Sequence, residues 1–143
     1  MARGYGRKQI LQQKSVTCYF FLYFNMDIRF CSYNCCSLRK NIDIVRQLTE
    51  KKYDFIFLQE TFVTEDKLGQ LDYIDENYES AGLSAVYSEQ SLVSMSGRPQ
   101  GGMACLWRTD SVLLIDKVIL EDNICILCVS FNNLKIILVN VYI

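Results

Sequence analysis

The spacing of apolar positions along the chain changes twice. In "DIRFCSYN" (27–34) Ile28, Phe30 and Ser32 fall on one face of an alternating pattern, which predicts a strand ending at Asn34. In "SLRKNIDIVRQLTEKK" (37–52) Leu38, Ile42, Val45 and Leu48 recur at helical spacing, with Ser37 or Asn41 available as N-cap. "YDFIFLQET" (53–61) then carries the unbroken run Phe55-Ile56-Phe57-Leu58. Continuous aromatic and branched residues suit a strand covered on both faces. The order is β-α-β, and a crossover helix of that kind joins parallel strands. Residues 60–79 hold seven acids against Lys67 alone, the composition of a solvated loop or short helix. Beyond them the period is two. Strands are predicted near 82–87, 102–108, 111–119, 123–131 and 134–142, with turns at Asp110-Ser111, Glu121-Asp122-Asn123 and Asn132-Asn133. Antiparallel meanders follow, and the fold class is α/β in its first part and α+β over the whole.

Parallel neighbours end on the same edge of a sheet. Asn34 ends the first strand and Glu60 follows the second, which places them about 5 to 10 Å apart if the strands are adjacent or next-adjacent. That edge is where open α/β sheets place ligands. A carboxylate is a hard oxygen donor suited to Mg²⁺, and an amide beside it can hold a water or a phosphate oxygen. Asn at a strand end is also ordinary turn chemistry, and on the residues alone both readings stand.

Composition narrows the field only a little. At 143 residues the chain is one domain or part of a larger one, and half of it is hydrophobic, which excludes a disordered tail. Lys plus Arg number 15 and Asp plus Glu 16, a balance that neither argues for nucleic acid nor excludes it. There is no histidine, and the seven cysteines show no framework. Cys125 and Cys128 make a C-x-x-C inside a strand, where three-residue spacing puts the side chains on opposite faces, so they read as packing residues rather than metal ligands. Cys35-Cys36 reads as reduced. A reducing compartment, nuclear or cytoplasmic, fits this usage.

Residues 1–14 carry Arg3, Arg7, Lys8 and Lys14 without an acid, and "VTCYFFLYF" follows. The pairing has the look of a secretory signal, but the apolar run is too short to span a bilayer and no small-residue cleavage site follows. Residues 1–26 are therefore expected to be an extension outside the fold, with Met26 a plausible start, and 27–143 the folded part. No stable membrane insertion is expected.

The stretch "FCSYNCCSLRKNIDIVRQLTEKKYDFIFLQETFV" resembles the opening of the endonuclease/exonuclease/phosphatase superfamily, where a strand ends in Asn, a helix follows, and a second strand ends in Leu-Gln-Glu. "SGRPQGGMACLWR" (96–108) is similar to the family's Gly-Gly strand and "LVNVYI" (138–143) to a later strand that carries a Tyr. The flavour is closest to the endonuclease domains of non-LTR retrotransposons and related abasic-site nucleases. The resemblance implies a four-layer α/β/β/α sandwich, DNA as substrate, and Mg²⁺ or Mn²⁺ as cofactor. It implies Glu60 as metal ligand, Asn34 as the amide beside it, and Tyr142 as the hydroxyl on the scissile phosphate. Gly101 and Gly102 would serve close backbone approach or an ordinary turn.

The chain departs from the pattern in two places. The family's Asn-x-Asn-Gly is here Asn34-Cys35-Cys36-Ser37, so a second amide is gone. The family's Asp-x-Asn and Asp-His pairs, which follow the Tyr strand, are not found. The expectation is the first half of such a sandwich, inactive by itself, with an exposed sheet face prone to self-association. Two rivals remain: a non-catalytic nucleic-acid-binding fragment gripping through residues 1–14, and another phosphoesterase of the same superfamily.

Overall fold

The computed structural model describes residues 15–22, 26–87 and 97–142. Strand β1 is Ser15–Leu22, β2 Met26–Asn34, and helix α1 Leu38–Glu50. β3 is Phe55–Gln59, followed by a 3₁₀ helix, Glu65–Tyr73, and β4, Tyr78–Leu83. The remaining strands are β5 Met103–Arg108, β6 Leu114–Glu121, β7 Ile124–Phe131 and β8 Leu134–Val141. A five-stranded sheet has the order β1-β2-β3-β5-β4, and β6-β7-β8 form a second, antiparallel sheet. Within the first, β2 and β3 run parallel and every other pairing is antiparallel.

The unbroken apolar run in β3 has its explanation in the layers. Ile56 and Leu58 face a core shared with Val45 and Leu48 of α1 and Leu71 of the 3₁₀ helix. Phe55 and Phe57 face the opposite core, against Cys125, Leu127 and Val129 of β7. Strands β3 and β5 are thus buried on both faces, and among the described residues the layers are helix, sheet, sheet. In β7 the alternation is strict: Cys125 is buried with Leu127 and Val129, while Cys128 lies on the other face. All six cysteines whose side chains are described are free. No helix among the described residues is long and apolar enough to cross a membrane.

Three expectations change. Residues 15–22 pair antiparallel with β2, so this part of the 1–26 segment joins the sheet edge instead of lying outside the fold. Pairing there satisfies the backbone N–H and C=O groups that an edge strand would otherwise leave open. Residues 1–14 and 23–25 lie outside the described residues. The strand expected at 82–87 is Tyr78–Leu83, with Val86 held only by a bridge to Gln100. Its position is set by pairing with β5, from Tyr78 opposite Arg108 to Leu83 opposite Met103, and by the Tyr78 hydroxyl, which donates to Tyr53 O at 2.6 Å. Finally, neither Ser37 nor Asn41 caps α1 through its side chain. Ser37 makes no cap bond, and Asn41 Nδ2 donates to Cys35 O at 2.7 Å. The hairpin turns at 122–123 and 132–133 are as expected, with Asp122 and Asn132 in the left-handed region such tight turns require.

Candidate functional site

β2 and β3 are neighbours, with Asn34 opposite Gln59, so their C-terminal ends form one rim. Both exits from the rim turn sharply. Cys36 and Ser37 (φ 44° and 107°) and Glu60 and Phe62 (φ 51° and 54°) all have positive φ. Such conformations cost a non-glycine residue about 1–3 kcal/mol and persist where surrounding structure over-determines them.

Backbone bonds between the loops supply that determination. Cys35 N donates to Gln59 O at 2.9 Å, Ser37 N to Glu60 O at 2.8 Å and Leu38 N to Thr61 O at 2.9 Å. The N–H groups at the start of α1, which helix geometry leaves open, are thus met by the carbonyls flanking Glu60, and a capping side chain is not needed. From the other side Thr61 N donates to Gly102 O and Phe62 N to Gly101 O, both at 3.1 Å. A Cβ on Gly102 would lie 2.5 Å from Thr61 Oγ1, and its φ is 80°. Close approach is therefore what this glycine serves.

On this frame the side chains of Asn34, Glu60 and Tyr142 come together. The Tyr142 hydroxyl donates to Glu60 Oε1 at 2.6 Å, across 82 positions of sequence. The side chains of Asn34 and Cys36 also favour the charged form of Glu60. The Tyr142 bond most, then the Asn34 bond, hold the Glu60 carboxyl below the usual glutamate range against the opposing effect of burial. The same interaction pushes the Tyr142 phenol up. Asn34 Oδ1 accepts from Cys36 N at 3.1 Å and from the Cys36 thiol at 3.2 Å. Cys36 thus supplies bonds to Asn34 at the place where the family pattern has a second amide. Burial pushes the Cys35 thiol up to about 12, and its Sγ donates to Gln59 O at 3.1 Å, so it is a neutral packing group.

A polar trio ties the two sheets together at the same end. Gln59 Nε2 donates to Asn140 Oδ1 at 3.0 Å and to Ser32 Oγ at 3.2 Å, and Ser32 Oγ donates to Asn140 Oδ1 at 3.2 Å. Asn140 is buried, and its Nδ2 has no partner among the described residues. Sequence reasoning gave Asn140 no role, although a polar residue on the inward face of an apolar strand was a visible signal. It also missed Cys36, registered only as a lost amide, and Arg98, whose charge reaches Glu60.

The donor set suits a hydrated hard cation. One partly exposed carboxylate with an amide beside it matches Mg²⁺, which keeps several of its waters. Among the described residues no group of three or more His, Cys, Asp or Glu side chains is placed to hold a metal ion.

Two stacked sheets with a helix layer over the larger one give the chain a fold shared with solved DNA-processing enzymes. In particular the chain is similar to an AP endonuclease from Archaeoglobus fulgidus, at 20% identity and a TM-score of 0.53. It is also similar to the 3′ phosphatase NExo from Neisseria bound to product DNA hairpin, at 18% identity and a TM-score of 0.50. Each match covers 79% of this chain and 40% of the other, so the chain spans well under half the length of these neighbours. No family model matches it, and no curated protein does.

Proposed function

We propose that the rim holding Asn34, Glu60 and Tyr142 is the metal and phosphate side of a site for hydrolysing a phosphoester in DNA. The observation that carries the reading is the 2.6 Å bond from Tyr142 to Glu60, which joins a phenol of the second sheet to an acid at the end of a parallel strand pair. Glu60, with its pKa lowered, is anionic at neutral pH and offers a hard oxygen to Mg²⁺ or Mn²⁺, with Asn34 beside it. Bound there, the metal would polarise a phosphoryl oxygen and neutralise charge on the leaving oxygen. The protein's own part is positional: the Tyr142 hydroxyl holds the carboxylate by its one proton, and meets a phosphate oxygen only by giving up that bond.

DNA is favoured because the fold neighbours are named as an AP endonuclease and as a 3′ phosphatase bound to a DNA product. The motif resemblance to non-LTR retrotransposon endonuclease domains points the same way.

The 143 residues hold no histidine, so the Asp-His pair of the family motif has no imidazole here. Losing a general base typically costs 10²- to 10⁴-fold, so this chain is expected to bind metal and substrate without turnover. The test pairs Mn²⁺ binding, followed by water-proton relaxation, with Mg²⁺-supported nicking of abasic duplex. Mn²⁺ binding should be lost in Glu60→Gln and weakened in Asn34→Ala, with no nicking above background. Binding unchanged in Glu60→Gln overturns the site. Nicking that Glu60→Gln abolishes would show that the base is not missing.

A further inference from the structure

Against the rim, on its helix side, lies a cleft of about 690 Å³ between α1 and the 3₁₀ helix. Arg39, Lys40, Arg46, Lys67 and Arg98 line it, and among the described residues no acid does. Local composition does not account for this. The stretch 60–79 has seven acids and a single base, yet Lys67 is the charged residue it turns into the cleft. In α1, Arg39, Lys40 and Arg46 line the cleft while Asp43 does not. Among the described residues the one ion pair any of the five makes is Arg46 with Asp43, at 4.0 Å and more than half exposed, an interaction that neutralises little.

The cleft borders the loops that carry Cys36 and Glu60. Ser37 and Thr61 line it, each one residue beyond one of the two. Arg98 spans the junction, lying 4.8 Å over the Phe62 ring while its charge reaches Glu60. Two further rings stand on the walls with their faces open: Tyr73 is 85% exposed and Tyr87 46%. A tyrosine this exposed contributes little to a core.

We infer that this cleft is a track for a single-stranded stretch of nucleic acid leading away from the phosphoester at Glu60. The inference rests on the function proposed above. A cationic floor with open aromatic walls is the combination that binds single strands, phosphates on the cations and unpaired bases on the rings. A duplex keeps its base faces stacked and cannot use the tyrosines. A phosphorylated lipid headgroup or an acidic peptide would satisfy the cations but leave the rings unused.

The experiment uses the full chain without metal, in chelator, following the fluorescence anisotropy of a labelled oligo-dT and of a blunt duplex with equal phosphates. Oligo-dT should bind the more tightly. In Arg46→Gln/Lys67→Gln the slope of log affinity against log salt should flatten by about 1.4, from roughly 0.7 for each of the two phosphates no longer neutralised. Arg46→Lys/Lys67→Arg should restore it, which guards against a neutralised variant that folds poorly. Tyr73→Ala should weaken oligo-dT about 5-fold or more and leave the duplex unchanged. The inference is overturned by an unchanged slope in the neutralised variant, or by a duplex bound as tightly as oligo-dT. Displacement at lower anion concentration by phosphoinositide vesicles or polyglutamate overturns it too. Glu60→Gln is followed for Mn²⁺ binding alone. If that variant loses Mn²⁺ while the cleft variants behave as wild type, the track falls and the site stands. If the cleft variants lose oligo-dT while Glu60→Gln keeps Mn²⁺, the site falls and the track stands as nucleic-acid binding alone.

Discussion

Glu60 owes its charge state to its partners. Burial pushes its carboxyl up, and the bonds from Tyr142 and Asn34 prevail in holding it down. Tyr142→Phe should therefore move the Glu60 titration upward, read by carbon NMR of the labelled carboxylate. Because the folded-state pKa lies below the unfolded one, the bond stabilises the protein above the ordinary glutamate value of about 4.3. That stability is lost as pH falls through the lowered folded value. The variant should thus be less stable than wild type in denaturant melts at neutral pH, with the gap closing in acid. Asn34 and Glu60 were legible because strand ends of a β-α-β unit share an edge whatever the rest of the chain does. Tyr142 was legible only through the family motif, since nothing local tells an aromatic on a strand face which acid it will meet 82 positions away. Cys36 was not legible, because its role depends on a positive φ of 44° that its sequence does not signal.

Among the elements, β3 and α1 were read well, since unbroken and helically spaced apolar runs report burial directly. β4 was read four residues too late: "YESAGL" carries little pattern of its own and takes its place from β5. The Gly-Gly strand is where an element's geometry can be tested. Gly102→Ala would force a side chain against Thr61 Oγ1 at 2.5 Å and into a φ of 80°. A loss of stability greater than about 1 kcal/mol in urea unfolding is expected, together with weaker Mn²⁺ binding, because Gly102 O accepts from Thr61 N in the Glu60 loop. Gly101→Ala meets no atom within 4 Å and bears only the backbone cost of its φ of 73°, so it should be the milder change.

Across the whole molecule, burial is uneven. β3 and β5 at the middle of the larger sheet are covered on both sides, while the outer face of β6-β7-β8 presents Leu114, Ile137, Val139 and Val141 to solvent. Aligned apolar side chains beside an unpaired edge favour association. The chain alone is expected to self-associate in sedimentation velocity, and Ile137→Lys/Val139→Lys should return it to monomer without changing its circular dichroism. A wild-type chain that stays monomeric as concentration rises would contradict this. The three layers seen here agree with the sandwich the motifs implied, and the uncovered face is where that architecture sets its fourth.

The bond between Tyr142 and Glu60 also bears on the order in which the molecule matures. As the chain is synthesised from its N-terminus, the acid emerges early and its phenol partner 82 residues later. Until β8 docks, Glu60 lacks the Tyr142 bond that contributes most to holding its carboxyl down. The full lowering of the Glu60 carboxyl should therefore arise late in folding, once β8 has docked.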